Sequence, residues 1–199
     1  MTGFDGAYYR RYYFDPRTAV VSRHEARARA RLIAAFVEHV GLPVRRILDA
    51  GCGIGLMRAP LLARLKRAAY VGVEESEYLC RRYGWTRGRI ELYRSGEPFE
   101  LVICYDVLQY LDDRAAACAL ANLARLCRAV LYFSALTRAD WRASCDRRRT
   151  DANVHMRPGE WYRARLARRF REIGAGFWVR RGAPLILWEL ERCGCTSRS

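Results

Sequence analysis

The chain has 199 residues, 51% of them hydrophobic, which suits one domain with a sizeable core and excludes wholesale disorder. Its formal charge is +15, from 36 Lys+Arg against 21 Asp+Glu. No apolar run approaches the roughly 20 residues of a membrane helix, and Met1-Thr2-Gly3-Phe4-Asp5 has neither the basic nor the apolar region of a secretory signal, so a cytoplasmic protein is expected.

Lys66 is the only lysine, and the arginines are interleaved through several helices. That pattern reads as compositional bias and disfavours a nucleic-acid partner, while leaving steering of an anionic substrate open. The eight cysteines form no CxxC pair and no Cys/His cluster with zinc spacing, so they read as small reduced hydrophobes with no metal.

Residues 4–14 are rich in aromatics, including Tyr9, Tyr12 and Tyr13. They suit a helix packed on the domain, a cap over a substrate pocket, or both. Ser22 and Glu25 have capping-box spacing and open a helix whose apolar face is Leu32, Ile33, Phe36, Val37 and Val40. A strand follows at 46–50, then a glycine loop, a helix at 56–65 and a second strand at 69–73 ending in Glu74-Glu75. A short helix at 77–83, closed by Gly84, leads to a third strand at 90–93 and a strongly apolar fourth at 100–105. A helix at 112–128 and a fifth strand at 129–133 come next. Residues 137–157 read as a long non-periodic connection, of the kind that is usually functional or mobile. A helix at 159–170 precedes two strands, 177–179 and 185–190, whose short connection demands antiparallel pairing. This order predicts an α/β fold: a mostly parallel Rossmann-like sheet with an antiparallel terminal hairpin and helices on both faces. Residues 1–45 would form an aromatic cap and helix, and 46–192 a cofactor-binding domain, together one compact unit.

The loop Leu48-Asp49-Ala50-Gly51-Cys52-Gly53-Ile54-Gly55 is the most specific stretch. Its glycines let a ligand approach the backbone, and Glu74 after the second strand is placed to bind ribose hydroxyls. A dinucleotide fingerprint would need a third glycine where Leu56 stands, and no P-loop motif occurs.

At these residues the sequence resembles the class I S-adenosylmethionine-dependent methyltransferases. The loop is similar to that family's first motif, Val71-Gly72-Val73-Glu74 to its second, and residues 99–110 to its fourth-strand motif, with Tyr110 in place of a frequent His. The resemblance covers residues 45–190 and implies S-adenosylmethionine as cofactor and S-adenosylhomocysteine as product. It implies that Asp49, Gly51, Cys52, Gly53 and Gly55 hold the methionine end, and that Glu74 and Glu75 face the ribose. Residues 95–97 would line the adenine, and Tyr105 and Asp106 would border the transferred methyl.

The expected reaction is methyl transfer to an O or N atom of a small molecule. RNA or protein methylation, or a non-catalytic cofactor-binding subunit, are the alternatives. The N/D-P-P-Y/F tetrad of many amino-group methyltransferases acting on bases or glutamine is replaced by Tyr105-Asp106-Val107-Leu108. His155, in the long connection, is the first candidate for a general base and Asp106 the second. Tyr9, Tyr12, Tyr13, Arg157 and Trp161 are candidates for holding the substrate, Arg157 through an anionic group.

Overall fold

The computed structural model describes residues 4–15, 17–147 and 149–187. Among these residues seven strands form one sheet in the order β3-β2-β1-β4-β5-β7-β6: β1 (Arg46–Ala50), β2 (Ala69–Glu74), β3 (Thr86–Arg87), β4 (Phe99–Tyr105), β5 (Cys127–Ser134), β6 (Phe170–Gly174) and β7 (Phe177–Arg180). The first five are parallel; β7 runs antiparallel to both β5 and β6.

Strand periodicity sends alternate residues to opposite faces, and both faces are covered. Ile47, Leu101, Ile103 and Val130 pack on one side with Ile33 and Val37 of α2 (Arg23–His39) and Leu61 of α3 (Arg58–Arg64). Leu48, Val102 and Leu131 pack on the other with Leu120 and Leu123 of α5 (Asp113–Leu126) and Leu166 of α7 (Gly159–Leu166). Helix α2 therefore contributes to the core. Its capping box is formed: Ser22 Oγ accepts from Glu25 N at 3.1 Å and Glu25 Oε2 accepts from Ser22 N at 2.8 Å. The other helices are α1 (Gly6–Tyr9), which runs into a π-helical turn at Arg10–Phe14, α4 (Glu77–Tyr83) and α6 (Arg138–Ala143).

Four sequence expectations shift. The third strand is Thr86–Arg87, and residues 90–93 form a turn instead. Asn122 of α5 donates from its side-chain amide to the carbonyls of Ile90 (2.6 Å) and Tyr93 (2.9 Å), so this apolar stretch is satisfied without joining the sheet. The terminal hairpin pairs β6 with β7; residues 185–187 are not in a strand, and the rest of the 185–190 stretch lies outside the described residues. Phe170 begins β6 rather than ending a helix, because its ring is fully buried in the core. Within 137–157 stands α6, opened by a Thr137/Asp140 capping box.

The remainder of that connection is anchored by Arg157, which is 3% exposed. Its guanidinium donates to Asp113 Oδ1 at 2.7 Å, Leu108 O at 2.9 Å and Tyr162 Oη at 3.2 Å, and also to Leu111 O. His155 N donates to Gln109 O at 2.7 Å. His155 and Arg157 thereby hold the end of this connection against the 3-10 turn Leu108–Tyr110 that follows β4.

Candidate active site

The parallel strands end together at one edge, where such sheets bind ligands. Two clefts open there, one smaller and one larger. Tyr13, Gly51, Gly53, Asp106 and Tyr110 line both, so they are lobes of one site.

The glycine loop is shaped by different demands at each glycine. A Cβ on Gly51 would collide with the Val107 side chain, and one on Gly55 would come within 2.5 Å of the Trp85 indole. Trp85 also donates from Nε1 to Gly53 O at 2.9 Å, pinning the loop from behind. A Cβ on Gly53 would meet nothing within 4 Å. Gly53, which lines both lobes, is thus where a ligand can reach the backbone.

Glu74, 8% exposed, ends β2. Its carboxylate accepts from Gly53 N at 2.9 Å, and from Glu75 N and Ser76 N at 3.0 Å each. Burial pushes its pKa up, and these three bonds oppose the rise. Asp49 is 2% exposed and accepts a hydrogen bond from Tyr70 Oη. Burial pushes it up to about 7, with Tyr70 opposing and Glu74 adding.

The smaller lobe is walled by Glu74, Glu75, Gly88, Ile90 and Glu91. Glu91 is 8% exposed, and neither carboxylate oxygen accepts a hydrogen bond, although Arg89 lies within ion-pair reach of one of them. Its roof is aromatic: Phe4, Tyr8, Tyr9, Tyr13 and Tyr110. Tyr8 and Tyr110 join hydroxyls at 3.2 Å, Phe4 packs edge-on to Tyr110, and Ser76 Oγ donates to Phe4 O at 2.6 Å. Burial drives the Tyr8, Tyr9 and Tyr13 phenols above their usual range, so they stay neutral.

The larger lobe runs from Asp49 and Cys52 to Val20, Val21, Leu136, Thr150, Asp151 and Val154. Arg29 of α2 is in its wall, donating to Tyr105 Oη at 2.6 Å. Gln109 is 4% exposed and its Oε1 has no partner. Asp106, between the lobes, has φ 55°, a strained left-handed conformation typical of functional sites. Burial raises its pKa, while hydrogen bonding from Tyr105 and the charge of Arg29 oppose the rise.

Of the sequence candidates, Asp49, Gly51, Cys52, Gly53, Glu74, Glu75, Tyr105, Asp106, Tyr9 and Tyr13 line the site. Gly55 supports the loop without lining either lobe, and Tyr12 packs on Tyr8 behind the roof. Arg157 and Trp161 do not reach the site: the Arg157 guanidinium is buried beneath the 108–111 turn and lies over Trp161. His155 is exposed and lines neither lobe, its tether to Gln109 being through the backbone. Residues 95–97 lie at the opposite end of the sheet, where Ser95 and Glu97 bond Arg46 at the start of β1. Sequence reading missed Arg29, Glu91 and Gln109. Arg29 follows Ala26 at helical spacing on the buried face of α2, which is the one signal that points to it.

Among the described residues, no group of three or more His, Cys, Asp or Glu could hold a metal ion, and no helix is long and apolar enough to cross a membrane.

No protein-family model matches the chain. It is 30% identical over 116 residues to the ubiquinone biosynthesis O-methyltransferase of Hahella chejuensis, a match that spans 51% of this chain and about half (47%) of that protein. In structure it is similar to DesVI of Streptomyces venezuelae, with TM-score 0.58 and 16% identity over 78% of this chain and 91% of that one. It is also similar to the N-methyltransferase NodS of Bradyrhizobium japonicum WM9, solved with S-adenosylhomocysteine, with TM-score 0.56 and 17% identity over 75% and 86% of the two chains. Magnesium protoporphyrin IX methyltransferase of Synechocystis PCC 6803, solved with S-adenosylmethionine, gives TM-score 0.53 and 19% identity over 79% and 80%. The chain shares the Rossmann-like fold of these solved structures.

The collision at Gly51 makes a stability prediction. Gly53→Ala should lose only the left-handed strain, about 1–2 kcal/mol, and Gly51→Ala should lose about 1–3 kcal/mol more from overpacking. In urea denaturation, adding Val107→Ala to Gly51→Ala should recover part of that loss; strictly additive losses would contradict the packing described.

Proposed function

We propose that this chain is an S-adenosylmethionine-dependent methyltransferase that acts on an O or N atom of a small molecule. The observation that carries the reading is the coupling of an open glycine backbone to an acid: Gly53 faces the site and its N–H is fixed by Glu74. The donor set fits the cofactor. Glu74 has acceptor capacity left for ribose hydroxyls, and Glu91 supplies buried acceptors beside Ile90 for an adenine amino group. These residues do what 95–97 were expected to do. In the larger lobe Asp49 suits the ammonium of the methionine end and Arg29 its carboxylate.

When bound, this cofactor supplies a methyl group on a sulfonium, an activated leaving group. The residues of the chain then have to hold the acceptor in line and keep water out. The aromatic roof and the Val20, Val21, Leu136 and Val154 wall exclude water. Asp106 takes the acceptor's proton: it lies between the lobes, and burial makes its carboxylate more basic than usual. Asp106 thus replaces the exposed His155 in that role. The +15 charge would suit an RNA acceptor, but its phosphates would meet a carboxylate-lined opening, which favours the small molecule.

Two outcomes test the reading. A cell extract incubated with the protein and labelled S-adenosylmethionine should yield a labelled small molecule. Asp106→Asn should slow that transfer by about 10²–10⁴-fold and His155→Ala should leave it intact; the reverse ranking would restore the histidine as base. The second concerns pH. A cationic ligand end requires ionised Asp49, whose pKa is raised to about 7 without it. Affinity should therefore fall as pH drops through about 7, each binding event releasing a proton below that point. Calorimetry at pH 6 in buffers of different ionisation enthalpy reads this directly, and an affinity unchanged between pH 6 and 8 would contradict it.

A further inference from the structure

The formal charge of the chain is +15, yet its site is acidic. Asp49, Glu74, Glu75, Glu91, Asp106 and Asp151 line the two lobes, and Arg29 is the only Lys or Arg among the described lining residues. If Asp49 and Arg29 face the two charges of the methionine end, the part of the larger lobe left for the acceptor keeps Asp106 and Asp151 and no cation. An independent observation lies beside them. Gln109 is buried in the same wall, 4% exposed, with a carbonyl oxygen that accepts no hydrogen bond. A buried acceptor without a donor costs free energy until a ligand supplies one. Val20, Val21, Leu136 and Val154 with the Tyr13 ring give the lobe an apolar wall, beside which Thr150, Tyr105 and Tyr110 also line it.

We propose that the methyl acceptor is a small apolar amine, its N–H donated to Gln109 Oε1 and its positive charge met by Asp106 and Asp151. This rests on the reading above that the site holds S-adenosylmethionine. It replaces the expectation of an anionic substrate, which leaned on net charge and on Arg157. The amine first gives a proton to Asp106. Its nitrogen lone pair then forms the new N–C bond as the methyl's C–S bond breaks, with that bonding pair remaining on sulfur. The methylated nitrogen carries the positive charge that the sulfonium loses.

A matched series tests the proposal by binding alone: 2-phenylethylamine, 2-phenylethanol and phenylacetate, titrated calorimetrically into the full chain saturated with S-adenosylhomocysteine. The amine should bind at least tenfold more tightly than the alcohol, and the carboxylate most weakly. Asp151→Asn, at a partly exposed position, and Gln109→Leu should each weaken the amine by threefold or more. An alcohol or carboxylate that binds as tightly as the amine, or an amine that fails to bind protein holding S-adenosylhomocysteine, overturns the proposal. Failure of S-adenosylhomocysteine itself to bind overturns the cofactor reading instead. The same series on the free protein then decides the acidity of the lobe by itself, amine preference supporting it and its absence refuting it.

Discussion

Glu74 accepts hydrogen bonds from three backbone N–H groups on two different segments: Gly53 in the loop after β1, and Glu75 and Ser76 where the chain leaves β2 for α4. One buried carboxylate therefore sets the spacing between the two loops that wall the site. Bonds from neutral N–H groups to a charged acceptor are stronger than neutral pairs, which is how the burial of Glu74 is tolerated. Other features follow from this spacing. Trp85 closes the loop from behind through Gly53 O, Val107 presses on Gly51, and Ser76, freed to cap α4, also ties down the aromatic segment through Phe4 O.

Charge in this chain is divided between surface and site. Arginine excess gives the chain a strongly positive surface, and compositional reading of such a surface points towards acidic ligands. The site carries the opposite sign. Charges at the exposed surface are screened within about 10 Å at 0.1 M salt, whereas carboxylates in a partly enclosed cleft are screened much less. Local lining, not net charge, decides what the cleft accepts. Arg157 illustrates the point: it supports the floor of the site by bonding the carbonyls of Leu108 and Leu111 and has no face towards a ligand.

What the sequence made legible was local. The strand running into alternate glycines, the acid after the next strand, and the Ser22/Glu25 cap are all encoded by residues near one another in the chain. What it hid depended on distant partners. Residues 90–93 look like a strand, and only Asn122, some thirty positions later, explains why they form a turn. Moving that element brings Gly88, Ile90 and Glu91, rather than 95–97, to the wall of the smaller lobe. Phe170 fits a helical pattern, and the sheet edge claims it because β7 is there to pair with. Arg29 and Gln109 look like ordinary helix and turn residues until the fold brings them to one wall.

Glu74 is the link between the loop geometry and the proposed cofactor. Calorimetric titration of S-adenosylmethionine into the wild-type chain and into Glu74→Gln, each checked for an intact fold by circular dichroism, measures that link. Losing hydrogen bonds to a charged group worth about 1.5–3 kcal/mol should weaken binding roughly 10- to 150-fold. Equal affinity in a folded Glu74→Gln variant, or no binding by the wild type, would contradict it.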